Sequence, residues 1–218
     1  MWCIRDITPE YKERMYDILD LYEEPYDPAR PVIGLDEKPK QLLGEKRESI
    51  PLRPGKIEKY DYEYIRQGNA NIFMSVEPKG GKRFPMVTRR RTKRDFAHYL
   101  QSLSKRYRKA TLIRVVLDNL NTHKLDSLCA AFGYEKAQTI LNKFEFHYTP
   151  KHASWLNVAE IEIGIMDAAC TAKRISNIES LTCEVNAWAE RRNKAKKMIK
   201  WTFTKQKADS KLGKYYVS

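Results

Sequence analysis

Two runs in this chain are apolar at nearly every position: Val32-Ile-Gly-Leu35, and Leu112-Ile-Arg-Val-Val-Leu117, which only Arg114 interrupts. A strand that is polar on neither face is buried on both, so each run predicts a strand in the middle of a sheet, covered by helices above and below. Each run leads straight into an aspartate, Asp36 and Asp118. In open α/β sheets ligands collect at the carboxyl ends of the strands, where both acids are expected.

The segments between fill in the architecture. Residues 9–22 place Met15, Ile18, Leu19 and Tyr22 at helical spacing, and Pro25, Pro28 and Pro31 end that helix. The proline- and charge-rich stretch 38–56 reads as an exposed connection. Residues 60–65 and 70–76 read as two strands around Gly68-Asn69, with a short strand over 84–88. Thr92 precedes a helix whose Phe96, Leu100, Leu103 and Tyr107 repeat every three to four residues, and Asp95 is placed to complete its cap. Helices follow over 124–132 and 135–143, then a strand over 144–148, a long helical pattern from Ser154 and a basic helix over 178–197. This order predicts an α/β fold, a mixed sheet flanked by helices on both faces, and it matches the ribonuclease H-like fold. The expected division is an N-terminal helix and linker over 1–30, the sheet domain over 31–200 and a tail over 201–218.

The chain has 218 residues, 42% of them hydrophobic, enough for a core of good size. Its mean hydropathy of −0.67 and lack of a long apolar run exclude a membrane span, and the start has no secretory signal, so the expected location is cytoplasmic. Cys3, Cys129, Cys170 and Cys183 are scattered, and His147 and His152 fit no standard metal spacing. The formal net charge of +13 is clustered, in Arg89-Arg90-Arg91-Thr92-Lys93-Arg94, in residues 105–109 and in residues 191–197, which include Arg191 and Arg192. Such clusters suit nucleic-acid phosphates, although any one of them reads equally as a solvated helix face.

A third acid joins the two aspartates. Glu160, in Ser154-Trp-Leu-Asn-Val-Ala-Glu160, shares a helical sector with the apolar residues Leu156, Ala159, Ile163 and Met166, while Glu162 points elsewhere. A carboxylate on a buried face must be paired, protonated or bound to metal, and basic partners are scarce nearby in sequence. Each acid also has a plain reading. Asp36 and Asp118 suit turn-capping, and the spacing of Asn157 and Glu160 is that of a capping box.

The motifs Leu35-Asp-Glu-Lys-Pro, Asp118-Asn-Leu-Asn-Thr-His123 and His147-Tyr-Thr-Pro-Lys-His-Ala-Ser-Trp-Leu-Asn-Val-Ala-Glu160 resemble those of the DDE-type transposases of bacterial insertion sequences, in the mariner-like superfamily. The resemblance runs along nearly the whole chain. It implies that Asp36, Asp118 and Glu160 are catalytic and hold metal, with 41 residues between the last two, a spacing like that of the bacterial branch. It implies Mg²⁺, with Mn²⁺ as a substitute and two ions in the site, and DNA as partner: transposon ends and a target, with TA dinucleotides expected and a homodimer plausible. Glu37, Asn119, His123 and Asn157 are candidates for contacts to the ion ligands or to substrate, and Arg89, Arg90, Arg91, Lys93, Arg94, Arg191 and Arg192 for DNA contacts. Members normally carry N-terminal helix-turn-helix modules that recognise the transposon ends. This chain begins some thirty residues before Asp36, so the expectation is a catalytic domain that does not select ends by itself.

The function so implied is metal-dependent DNA strand cleavage and strand transfer. The alternatives are a hydrolytic ribonuclease H-like nuclease, which would stop at cleavage, and a non-catalytic DNA-binding remnant that regulates transposition. A module that only binds DNA has no use for clustered acids beside phosphates.

Overall fold

The computed structural model describes residues 6–59, 61–118 and 125–217, without the side chains of Leu125 and Asp126. Two candidate site residues, Asn119 and His123, lie outside the described residues. Five strands form one sheet: β1 (Val32–Glu45), β2 (Tyr64–Glu77), β3 (Lys82–Thr88), β4 (Ile113–Leu117) and β5 (Phe144–Tyr148), in the order β3-β2-β1-β4-β5. The first three are antiparallel to one another, and β4 and β5 run parallel to β1.

Strand alternation sorts the core. Ile33, Leu35, Phe73, Val115 and Leu117 face one side, where α2 (Lys93–Arg106), α3 (Leu125–Phe132) and α4 (Tyr134–Leu141) cover them. Ile72, Met74 and Val76 face the other, under α5 (Val158–Met166) and α6 (Ile178–Lys194). On that second side Val116 meets α1 (Pro9–Glu23) and α7 (Lys205–Leu212). The cap of α2 forms as its sequence predicts: the Thr92 side chain accepts from Asp95 N–H, and the Asp95 carboxylate accepts from Thr92 N–H. Arg114 has its own explanation, since its buried guanidinium pairs with Glu24 at 2.5 Å and donates to the Arg30 carbonyl at 2.8 Å.

Three expectations are corrected. The stretch from Lys38 is not a free connection as far as Glu45. It continues β1, pairing through Pro39↔Asn71 to Glu45↔Tyr64. Past Gly34, β4 no longer pairs with β1, so the strand has a neighbour on one side only, and there proline and charge are tolerated. Gly68-Asn69 does not turn the chain. Gly68 adopts φ 103° within the single strand β2, where the register slips between Gln41 and Leu43, so the glycine serves a bulge. The segment from Ser154 is broken as well: a 3₁₀ turn over Ser154–Leu156 precedes α5, which continues as a π-turn over Asp167–Thr171.

Candidate active site

The register of β1 and β4 places the two aspartates together. Gly34 lies beside Val116 in the parallel pair, so Asp36 and Asp118, each two residues further on, sit at the same level along the sheet. Alternation turns both towards the face that α5 covers. Asp36 does not end its strand. It sits where β4 stops and β1 runs on, and this opens the crevice beside β1.

The start of α5 is held against that crevice by its own cap. Asn157 is fully buried. Its Oδ1 accepts from Ala159 N–H at 3.1 Å, and its Nδ2 donates to the Leu35 carbonyl at 2.8 Å, one residue before Asp36. The Asn157 N–H donates to the Ser154 carbonyl, so no reciprocal capping box forms and the Glu160 carboxylate is not used as a cap. The buried Tyr22 hydroxyl accepts from Val158 N–H and donates to the Leu156 carbonyl. Close approach also requires Gly34: a Cβ there would lie 2.5 Å from Val158 Cγ1 and 2.8 Å from Asn157 Oδ1. Sequence reasoning passed over Gly34 as one more member of an apolar run. The signal was a glycine inside a strand, which marks a close backbone approach.

Burial pushes the Asp36 carboxyl up to about 7; the hydrogen bond from Glu37 N–H opposes this, and the charges of Asp118, Glu160 and Glu37 add to it. Asp118 Oδ1 accepts from the Thr149 hydroxyl at 2.7 Å. Glu160 is half-buried, and its carboxylate has no hydrogen bond or ion pair among the described residues. None of the three has a cationic partner among those residues. Nor do any three His, Cys, Asp or Glu side chains among them converge closely enough to enclose an ion. The donor set nevertheless fits Mg²⁺, which prefers oxygen ligands and keeps several of its waters, so that a loose trio suits it better than a closed cage.

The expected phase of α5 is corrected. Its buried residues are Val158, Ala159, Glu162 and Met166, so Glu162 is the acid inside and Glu160 stands at the rim. Arg83, from β3, binds Glu162 through Nη2 at 2.6 Å and Nε at 3.0 Å, and Arg192, from α6, through Nη2 at 2.7 Å. The partners lie 79 and 30 residues away, beyond the reach of any local reading.

The other predicted residues fall into two groups. Arg89, Arg90, Arg91, Lys93 and Arg94 are all exposed, on the link from β3 into α2. Arg91 pairs at 3.2 Å with Glu37, whose side chain is only 3% exposed. Arg191 is exposed, whereas Arg192 is committed to Glu162 and lies over the Trp188 ring. A groove of about 670 Å³ leads away from Asp118, between the start of α1 and the turn before α5. Thr8, Tyr11, Arg14, Lys151 and His152 line it. Arg14 and Lys151 were missed in the sequence because neither lies in a basic cluster.

Residues 31–182 match the family model of the DDE superfamily endonucleases, and the chain belongs to that family. Among solved structures it is similar to the catalytic domain of Mos1 mariner transposase, at 14% identity and a TM-score of 0.51, over 87% of this chain and 85% of that one. It is also similar to the Mos1 transposase paired-end complex with the left transposon end (16% identity, TM-score 0.52, 87% of this chain and 57% of that one). A third match is the Mos1 mariner paired-end complex with Mn (14% identity, TM-score 0.50, 90% and 60%). At these identities the likeness is one of fold: the sheet and its two helical layers are ribonuclease H-like. The chain spans less than two thirds of the transposase in both complexes. No curated protein matches it in sequence.

Proposed function

We propose that this chain is the catalytic domain of a transposase, cutting DNA strands and joining the freed 3′-hydroxyl to target DNA. The observation that carries the reading is the trio Asp36, Asp118 and Glu160 in a DDE endonuclease of net charge +13: three carboxylates without a cationic partner among the described residues, of which Asp118 lines the groove. Repulsion of this kind is relieved by a divalent cation, and the trio would hold Mg²⁺ or Mn²⁺ as a pair of ions. Such ions activate a water or hydroxyl and offset charge at phosphorus.

The protein's own residues supply position. Thr149 orients Asp118, and Asn157, seated against Gly34, fixes the helix that carries Glu160 to the strand that carries Asp36. Arg14 and Lys151 line the groove as phosphate contacts, and the exposed Arg90, Lys93, Arg94 and Arg191 offer further ones. Target choice at TA dinucleotides and action as a homodimer complete the proposal.

The test is incubation with labelled duplex DNA and Mn²⁺, with and without Asp118→Asn, scored for nicked and joined strands on a denaturing gel. Joined products that vanish in the variant are expected. Nicks without joining would instead assign a hydrolytic nuclease.

A further inference from the structure

Two residues other than glycine adopt a positive φ among the described residues, Lys196 at 45° and His152 at 64°. A side chain makes this left-handed region costly, so each needs a reason. Lys196 has an ordinary one: it follows Ala195, the C-cap of α6, and a left-handed residue there ends a helix. His152 ends no helix. Ala153 N–H donates to the Pro150 carbonyl at 3.0 Å, so His152 is the third residue of a turn whose positive φ falls on that position alone, where glycine is the usual occupant.

The turn is held on both flanks. Thr149 and Ala153 are buried, and Thr149 is tied twice to the end of β4: its N–H donates to the Leu117 carbonyl at 3.0 Å and its hydroxyl to Asp118 Oδ1 at 2.7 Å. Between these fixed points only Lys151 and His152 are exposed, and both line the groove that Asp118 also lines. The imidazole has no hydrogen bond, ion pair or ring contact among the described residues. Nothing among those residues offsets the cost of the conformation, and strain of this kind gathers where a site meets its ligand. The groove indicates which ligand. Arg14 and Lys151 line it too, so a phosphodiester strand fits beside the ring. An imidazole carries at least one N–H in either protonation state, and one N–H to a phosphate oxygen fixes where that phosphate lies.

We propose that His152 is a DNA contact that positions the strand to be cut: its ring N–H donates to a phosphate oxygen next to the scissile phosphate, and together with Lys151 it keeps that strand in register with Asp118. The proposal rests on the DNA-processing reading above and adds to it a contact singled out by backbone conformation rather than by charge.

The test uses the full chain, labelled duplex DNA and Mn²⁺, and reads cleavage rate at saturating protein, DNA affinity and melting temperature. His152→Gly relieves the backbone and removes the ring. It should melt at or above the wild type yet cut roughly tenfold more slowly at saturation, the loss of one hydrogen bond to a charged group. His152→Phe, which keeps a ring without the donor, should be as slow. His152→Asn and His152→Gln place an amide N–H near where Nδ1 and Nε2 lie, and one of the two should recover most of the rate. A glycine variant that cuts like the wild type, or that slows only as its melting temperature falls, would overturn the contact. So would full activity in the phenylalanine variant, failure of both amides, or a loss confined to affinity with the saturated rate intact. A wild type that neither nicks nor joins any strand would overturn the DNA-processing reading itself, and the contact with it.

Discussion

Asp36 shows how one residue's surroundings set its chemistry. Its carboxyl is held at about 7, against an ordinary 3.8, first by burial and then by its acidic neighbours. The folded chain therefore holds this proton more tightly than the unfolded chain does. Without divalent ions, stability from this group is full below about pH 4 and is lost as pH rises to about 7, by up to roughly 4 kcal/mol. Urea unfolding from pH 4.5 to 8 in EDTA should show this decline, and Asp36→Asn should flatten it; an equal decline in the variant would place the repulsion elsewhere. Gly34→Ala should cost about 1–3 kcal/mol, because its methyl would press on Val158 Cγ1 and Asn157 Oδ1. Cutting should fall further than that loss of stability alone explains, since the same overlap pushes α5, and Glu160 with it, away from Asp36. The three acids stand out in the sequence because they sit in motifs, although Glu160 reads there as facing inward and stands at the rim instead. Gly34 does not stand out, because its role is a contact across 123 residues, from Gly34 to Asn157.

At the scale of elements, the central strands and α2 could be read from their periodicity and cap, since burial on both faces and a capping box are local facts. β1, β2 and α5 were misread wherever tertiary pairing overrode a local signal. A glycine with positive φ serves a turn or a bulge equally well, and the choice at Gly68 is made by the partner strand. Helical phase identifies a buried stripe only when one face is polar. α5 is apolar nearly all round, so its phase was fixed instead by Arg83 and Arg192 reaching Glu162 from β3 and α6. Arg83→Met should therefore destabilise the fold by about 3–5 kcal/mol in urea, as loss of one partner strands a buried charge. Adding Glu162→Leu should recover most of that, because Arg192 is partly exposed and can turn to solvent. A double variant as unstable as the single one would show that the network does more than neutralise Glu162.

For the molecule as a whole, the ends of the described chain are part of one body. Ile7 bridges to Tyr216, and α7 packs with α1 in the cluster that also holds Leu156 and Val158, so the final residues support the start of α5. The body carries a net charge of +13, and Arg90, Lys93 and Arg94 are exposed on it. DNA affinity should fall steeply between low and physiological salt, and removing the exposed Arg90, Lys93 and Arg94 together should make that dependence shallower by about three phosphate contacts. An unchanged slope would exclude this face from the DNA path.

The proposed strand chemistry depends on the three carboxylates forming a divalent site. Calorimetric titration of Mn²⁺ into the wild type and into Asp36→Asn, Asp118→Asn and Glu160→Gln tests this without any DNA. The prediction is one or two ions bound by the wild type, with a proton released near pH 6 as Asp36 ionises, and at least tenfold weaker binding in each variant. Undiminished binding in any of the three, or no heat at millimolar Mn²⁺ in the wild type, would contradict it.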